Sequence, residues 1–72
     1  MKHKVTNLQQ LYRMSNHQRF LARRVKDRNI YWIIGPGPDA TKYLGWTQED
    51  TVIKSFDPLE QDWQLVAKFN GR

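Results

Sequence analysis

The sequence predicts a small α+β domain, with one N-terminal helix and a mostly antiparallel sheet of about five short strands. Apolar residues recur at helical spacing only near the N-terminus, whereas from Arg19 onward they alternate with a period of two. Polar or Gly/Pro-rich turns separate the alternating segments, and a helical turn is expected before the last strand. A chain of 72 residues supports one hydrophobic core, so we expect a single domain over residues 1–72.

The helix is predicted from Leu8, Leu11 and Tyr12, which fall at the i, i+3, i+4 spacing of one helical face. Either Thr6 or Asn7 can serve as its N-cap, because a side-chain oxygen at that position accepts a hydrogen bond from a free N–H of the first turn. The sequence therefore contains one short amphipathic helix, which can cover only part of a sheet.

The first two strands are predicted as a hairpin. The first of them places Arg24 on one side and Arg23 on the other, since neighbouring side chains of a strand point to opposite faces. A polar turn at 26–29 leads into residues 30–34, a β-branched and aromatic run that favours a sheet. The segment Gly35-Pro36-Gly37-Pro38 is expected to end regular structure, because proline lacks the N–H that a sheet ladder uses.

Three more strands complete the predicted sheet. Segments 41–47 and 51–56 flank the polar turn Gln48-Glu49-Asp50, and Asp57-Pro58-Leu59-Glu60 has the order of a capping box, which predicts one helical turn. The last strand alternates, and the following residues of one face are expected to be buried: Trp63, Leu65, Ala67 and Phe69.

Composition and charge restrict the class of protein. Residues 1–28 hold eight Lys/Arg and one acid, a balance of +7, whereas residues 29–72 hold four Lys/Arg and six acids, a balance of −2. The basic part can attract a polyanion. Cysteine is absent, which excludes disulfides and thiolate metal sites. The apolar runs are shorter than the ~20 residues of a membrane span, and no signal peptide is visible, so we expect a cytoplasmic protein without a membrane partner.

The reactive side chains indicate a non-catalytic protein. His3 and His17 show no metal-ligand spacing with other candidates, and Ser15 and Ser55 have no evident base partner. We therefore expect no catalytic residue, no metal and no cofactor.

Nine aromatic residues are many for so short a chain, and each can bury ~150–250 Å². A sheet face rich in large rings is too wide for one short helix, so strong curvature or a partner subunit must shield the remainder. We expect a homo-oligomer, either a dimer or a tetramer.

Four segments together resemble a family of small phage proteins of the Thoeris anti-defence 2 type. They are Leu8-Gln9-Gln10-Leu11, Arg19-Phe20-Leu21-Ala22-Arg23-Arg24, Tyr31-Trp32-Ile33, and residues 56–66 with their Asp62-Trp63 pair. The resemblance implies an oligomer that binds a nucleotide-derived immune signal without hydrolysing it. A bacterial effector in the host cytoplasm is then never switched on.

A ligand of that kind directs attention to two groups of residues. Arg23 and Arg24 can supply forked donors to a phosphate, although only one of them can face a given pocket. Rings on which a nucleobase can stack are Tyr31, Trp32, Tyr43 and Trp46. The same rings can equally be core or interface packing.

The Asp62-Trp63 pair also has two interpretations. Trp63 is expected to enter the core, and the pair can hold the last strand in register. Alternatively, Asp62 contacts the ligand.

Two further classes of function stay open. The basic N-terminal part and the strand aromatics can bind nucleic acid, as sheet-based RNA readers do. The acidic turns and exposed rings can also dock on a host enzyme as a protein inhibitor.

Overall fold

The computed structural model describes residues 4–47, 49 and 52–68. In chain order the elements are α1 (Leu8–Met14), β1 (Phe20–Arg24), β2 (Ile30–Pro36), β3 (Tyr43–Thr47), β4 (Lys54–Phe56) and β5 (Trp63–Lys68). The five strands form one sheet in the order β4-β3-β2-β1-β5, and every neighbouring pair is antiparallel. The predicted α+β architecture, with its helix before the strands, is confirmed.

The helix begins at the second of the two predicted caps. The Asn7 side-chain oxygen accepts a hydrogen bond of 2.8 Å from the Gln10 N–H, and Leu8 and Leu11 are buried against the sheet. The helix ends at Ser15, whose N–H bonds to the Leu11 carbonyl at 3.0 Å. Within the described residues, no helix is both long enough and apolar enough to cross a membrane.

Strands β1 and β2 form the predicted hairpin. Its turn is closed by the Arg24 N–H, which donates to the Asn29 carbonyl at 2.9 Å, and by the Arg28 N–H, which donates to the Arg24 carbonyl at 2.7 Å. Arg28 has a φ of 62°, in the left-handed region that such turns require. Strand β1 lies between β2 and β5, so the hairpin forms the middle of the sheet.

The sequence predicted that regular structure ends at Gly35, and for β2 this prediction is wrong. Strand β2 continues through Pro36, which pairs with Tyr43, and the register shifts between Ile33 and Gly35. At this bulge Gly35 adopts a φ of 104°, and a Cβ on it would lie 2.7 Å from the Tyr12 ring. Proline is tolerated because the neighbouring Gly37 N–H makes the next bond between the two segments, to the Lys42 carbonyl at 3.1 Å.

The third and fourth strands are shorter than predicted, and side-chain hydrogen bonds account for the late start of β3. Asp39 accepts hydrogen bonds from the Thr41 N–H at 3.0 Å and the Thr41 hydroxyl at 2.7 Å, so β3 begins only at Tyr43. Of the predicted turn at 48–50, only Glu49 lies within the described residues. Residue 51, predicted to begin β4, lies outside them.

A single hydrogen-bonded turn occupies 57–60, before the last strand. The Asp57 side chain accepts from the Leu59 N–H at 3.0 Å, and the Asp57 carbonyl accepts from the Glu60 N–H at 3.4 Å. The Pro58 carbonyl accepts from the Gln9 N–H at 3.1 Å, which ties this turn to the start of α1.

The core lies on one side of the sheet, beneath α1. Its buried residues are Leu8, Leu11, Phe20, Ala22, Tyr31, Ile33, Tyr43, Phe56 and Trp63. Trp63 is 0% exposed, and its ring meets those of Tyr31 and Phe56 edge to face, with centroids 5.6 and 5.1 Å apart. The expected burial of Trp63 in the core is confirmed.

Strand β5 departs from simple alternation near its end. A register shift opposite Leu21 and Ala22 pairs Leu65 with Ala22 and Ala67 with Leu21. The extra residue moves Ala67 to the other side of the sheet, where it is exposed, so its predicted burial is wrong. Phe69, predicted on the same face, lies outside the described residues.

Removing the helix cap tests the folding role of Asn7. We expect Asn7→Ala to lower the free energy of unfolding by about 1 kcal/mol, because the N–H of Gln10 loses its acceptor. Asn7→Asp keeps an acceptor oxygen and serves as the control. Urea denaturation followed by circular dichroism measures both variants, and an equal loss in Asn7→Asp would contradict this role for the side chain.

Candidate functional site

The side of the sheet opposite α1 carries the candidate site and is called here the open face. Apart from Ala67, which the bulge in β5 brings to this side, its residues alternate along each strand with the buried core residues, so their side chains point away from the core. The open face comprises Leu21 and Arg23 of β1, Ile30 and Trp32 of β2, Leu44 and Trp46 of β3, and Gln64 and Ala67 of β5.

Two tryptophans form the centre of the open face. Trp32 and Trp46 are direct cross-strand partners in β2 and β3, and both are half-buried. On its other side Trp32 is paired with Leu21, which in turn is paired with Ala67. One apolar row therefore crosses four strands, with its two large rings at one end.

A hollow containing hydrogen-bond donors adjoins this row. Arg23 is paired with Gln64 of β5 and with Ile30 of β2, one register step from the Leu21–Trp32 pair. Arg23 and Gln64 line a hollow of about 470 Å³ together with Val25 and Arg28. The lining contains two guanidinium groups and an amide, and none of the described residues lining it is acidic.

The arrangement of these two features fits an elongated ligand. Diagonal positions on neighbouring strands have Cα atoms about 7–8 Å apart, which is the relation between Trp32 and Arg23. A molecule with a flat ring over the tryptophans can therefore place an anionic group among the donors of the hollow.

Arg24, the neighbour of Arg23, points to the core side and has a different environment. Its Nη2 and Nε lie 2.5 and 2.9 Å from Asp27 Oδ2, and Nη2 also donates to the Tyr31 hydroxyl at 3.1 Å. The Tyr31 hydroxyl in turn donates to Asp27 Oδ2 at 2.9 Å. The Arg24 guanidinium lies 5.1, 5.2 and 5.8 Å from the ring centroids of Tyr31, Phe56 and Trp63.

These contacts change the acid–base properties of the pair. Burial alone would raise the pKa of Asp27, but hydrogen bonds from Arg24, the Asn29 N–H and Tyr31 outweigh it and lower the pKa from 3.8 to about 2. Desolvation would lower the pKa of Arg24, yet the hydrogen bond to Asp27 and the nearby charges raise it. Arg24 is thus a cation that is paired with Asp27 and lies beside the rings of the core.

The remaining two predicted site residues also lie away from the open face. Tyr43 is buried and meets the Tyr12 ring edge to face, with centroids 5.4 Å apart, and burial raises its pKa. Asp62 precedes β5, and its carbonyl accepts a hydrogen bond of 2.8 Å from the Val25 N–H. One Asp62 carboxylate oxygen is buried and has no hydrogen-bond partner in the part of the chain that the structure describes.

The structure thus divides the seven predicted residues. It brings Arg23, Trp32 and Trp46 together on the open face, whereas Arg24, Tyr31, Tyr43 and Asp62 belong to the core side or to its border.

The other three residues of the hollow, Val25, Arg28 and Gln64, were not among the predicted site residues. Gln64 was assigned to the correct strand and to the side opposite Trp63, but its place beside Arg23 depends on the strand order, which alternation does not give. Arg28 lies in the polar turn, where it has a φ of 62°. From this turn it contributes to the lining of the hollow.

No family model, curated protein or solved structure matches this chain.

The Arg24–Asp27 pair makes a prediction about acid stability. The depressed pKa of Asp27 means that its contribution is present above about pH 4 and is lost as the pH falls towards 2. At pH 7 we expect Asp27→Asn to lower the free energy of unfolding by about 1–3 kcal/mol, because a partly buried cation loses its partner. Chemical denaturation from pH 2 to pH 7 measures the difference between the two proteins. A difference that does not change between pH 4 and pH 2 would contradict the assignment.

Proposed function

We propose that the protein binds a nucleotide-derived small molecule on its open face and retains it without chemical conversion. The observation that supports this most directly is the adjacency of the Trp32–Trp46 pair to the hollow that contains Arg23, Arg28 and Gln64. This is the combination that a base joined to a phosphate requires: a flat apolar surface next to hydrogen-bond donors.

The tryptophan pair matches the nucleobase of such a ligand, and the hollow matches its phosphate. Stacking of a nucleobase on an aromatic side chain contributes ~1–3 kcal/mol. A guanidinium group donates two parallel hydrogen bonds to phosphate oxygens, and such charge-assisted bonds contribute about 1.5–3 kcal/mol each. Arg23 lies on a strand, which fixes its backbone and reduces the entropy lost on binding.

Retention without conversion is proposed because of the nature of the donors. Guanidinium groups keep their proton at neutral pH, and the amide of Gln64 does not titrate. These groups hold an anion but do not accept a proton from a nucleophile. The proposed role is therefore sequestration, as the resemblance to Thoeris anti-defence 2 proteins suggests, with an immune signal of the bacterial host as the ligand.

The resemblance also suggests the setting of this function. We propose that the protein acts in the cytoplasm of the host cell as a dimer or tetramer. Native mass spectrometry of protein purified from signal-producing cells would report the number of subunits and any retained small molecule together.

Substitutions on the two halves of the site test the proposal. With a panel of cyclic dinucleotides and cyclic ADP-ribose derivatives, isothermal titration calorimetry should find a ligand of the wild-type protein. We expect Arg23→Gln to weaken its binding by about 10–100-fold, the equivalent of one charge-assisted contact. Trp32→Leu should weaken it by about 5–150-fold, the equivalent of one stacked base.

Arg13→Gln is the matched control, because it removes the same charge from the exposed surface of α1. If Arg13→Gln and Arg23→Gln lost equal ligand affinity, the loss would come from the change in net charge, and Arg23 would not belong to a binding site. Mass spectrometry of the bound ligand should recover it intact after prolonged incubation, and a converted product would contradict retention.

Single-stranded nucleic acid is the second candidate ligand. One observation favours it: the apolar row with two tryptophans crosses neighbouring strands and has Arg23 and Arg28 beside it, within a segment, residues 1–28, whose charge balance is +7. Sheet-based RNA readers stack successive bases on rings placed in this way.

The dependence of binding on salt separates the two candidates. If Arg23 and Arg28 contact two phosphates of a strand, affinity for oligo(dT) or oligo(rU) should fall about seven-fold between 50 and 200 mM salt. Fluorescence anisotropy with labelled oligonucleotides measures this change. Failure of both oligonucleotides to bind at 50 mM salt would eliminate this second candidate and leave the small-molecule proposal untouched.

A further inference from the structure

A second surface lies at the outer edge of β5, on the core side of the sheet. Strand β5 is an edge strand, paired with β1 on its inner side. Within the described residues, Thr6 supplies the backbone hydrogen bonds on its outer side: Thr6 N–H donates to the Trp63 carbonyl at 2.8 Å, and Trp63 N–H donates to the Thr6 carbonyl at 3.0 Å. These bonds cover only the first residue of the strand.

The backbone orientation of Leu65 follows from those bonds. Trp63 is the register partner of Arg24, yet its N–H and carbonyl are used on the outer side by Thr6. Orientation repeats every second residue in an antiparallel strand, so the N–H and carbonyl of Leu65 also point outward. Within the described residues, Leu65 therefore presents one backbone donor and one backbone acceptor to an added strand.

A groove lies beside these groups and is called here the edge groove. It has a volume of about 320 Å³ and lies between α1 and β5. Leu11, Met14, Leu65 and Val66 give it an apolar lining, and Met14 and Val66 are 49% and 45% exposed. A large apolar side chain projecting from an added strand would find contacts here.

The charge around the edge groove is positive. Lys4 lines the groove, and the Lys68 Nζ lies 3.5 Å from the Met14 carbonyl at the end of α1. None of the described residues lining the groove is acidic. A second copy that presented the same edge would bring these lysines near their own equivalents, which is unfavourable, whereas a partner carrying carboxylates would complement them.

We propose that the edge groove binds an extended, acidic peptide segment of a partner protein as an additional strand beside residues 65–68. Backbone hydrogen bonds to Leu65 supply affinity, and a large apolar side chain between Met14 and Val66 supplies specificity. An Asp or Glu of the peptide pairs with Lys4. This proposal is independent of the ligand on the open face.

Selection from a displayed library of random seven-residue peptides tests the proposal on the full chain. We expect enrichment of peptides in which one large apolar residue is flanked by Asp or Glu. Fluorescence polarisation with an enriched peptide should show that Met14→Glu and Lys4→Glu each weaken binding by about ten-fold or more, through repulsion of the acidic peptide. Trp32→Leu on the open face should leave the affinity unchanged.

Hydrogen exchange gives a second measurement that does not depend on a variant. Binding of the peptide should slow exchange of the Leu65 amide, because this N–H gains an acceptor in the added strand. The melting temperatures of the two charge variants should stay close to the wild-type value, since both substituted side chains are exposed.

Several outcomes would overturn the proposal. Enrichment of no acidic peptide would do so, as would binding that survives Met14→Glu or that is lost in Trp32→Leu. Self-association of the protein that disappears in Met14→Glu would assign the edge groove to a second copy instead.

Discussion

The organisation of this protein depends on one constraint: a helix of seven residues covers only one face of a five-stranded sheet. Because side chains of a strand alternate, every large residue must lie either under the helix or on the uncovered side. The aromatic cluster of Tyr31, Phe56 and Trp63 takes the covered side. The two other tryptophans take the open face, where burial within the subunit is incomplete.

The adjacent residues Arg23 and Arg24 show how this constraint gives neighbouring side chains different environments. Arg24 is held by Asp27 and the Tyr31 hydroxyl, with its guanidinium beside three rings, so its charge is satisfied within the fold. Arg23 is one residue away, faces the other side and lines a hollow with Arg28. The two arginine side chains have different environments because successive residues of β1 point to opposite faces of the sheet.

The sequence was sufficient for the helix, the hairpin and the number of strands, because local periodicity and capping determine them. Spacing alone predicted the opposite sides of Arg23 and Arg24 and an N-cap at Thr6 or Asn7, of which the structure uses Asn7. The strand order, which places Gln64 beside Arg23, depends on pairing between distant segments. The bulges at Gly35 and before Ala67 shifted strand ends and faces that strict alternation predicts.

If ligands bind on the open face, with its tryptophan pair, then the buried Trp63 provides an internal reference. The most direct measurement is a ¹H–¹⁵N NMR titration of the tryptophan indole groups with the nucleotide panel. We expect this result: the Trp32 and Trp46 signals shift together with the backbone amide of Arg23, while the buried Trp63 signal stays in place. A shift confined to Trp63, or no shift with any ligand of the panel, would contradict it.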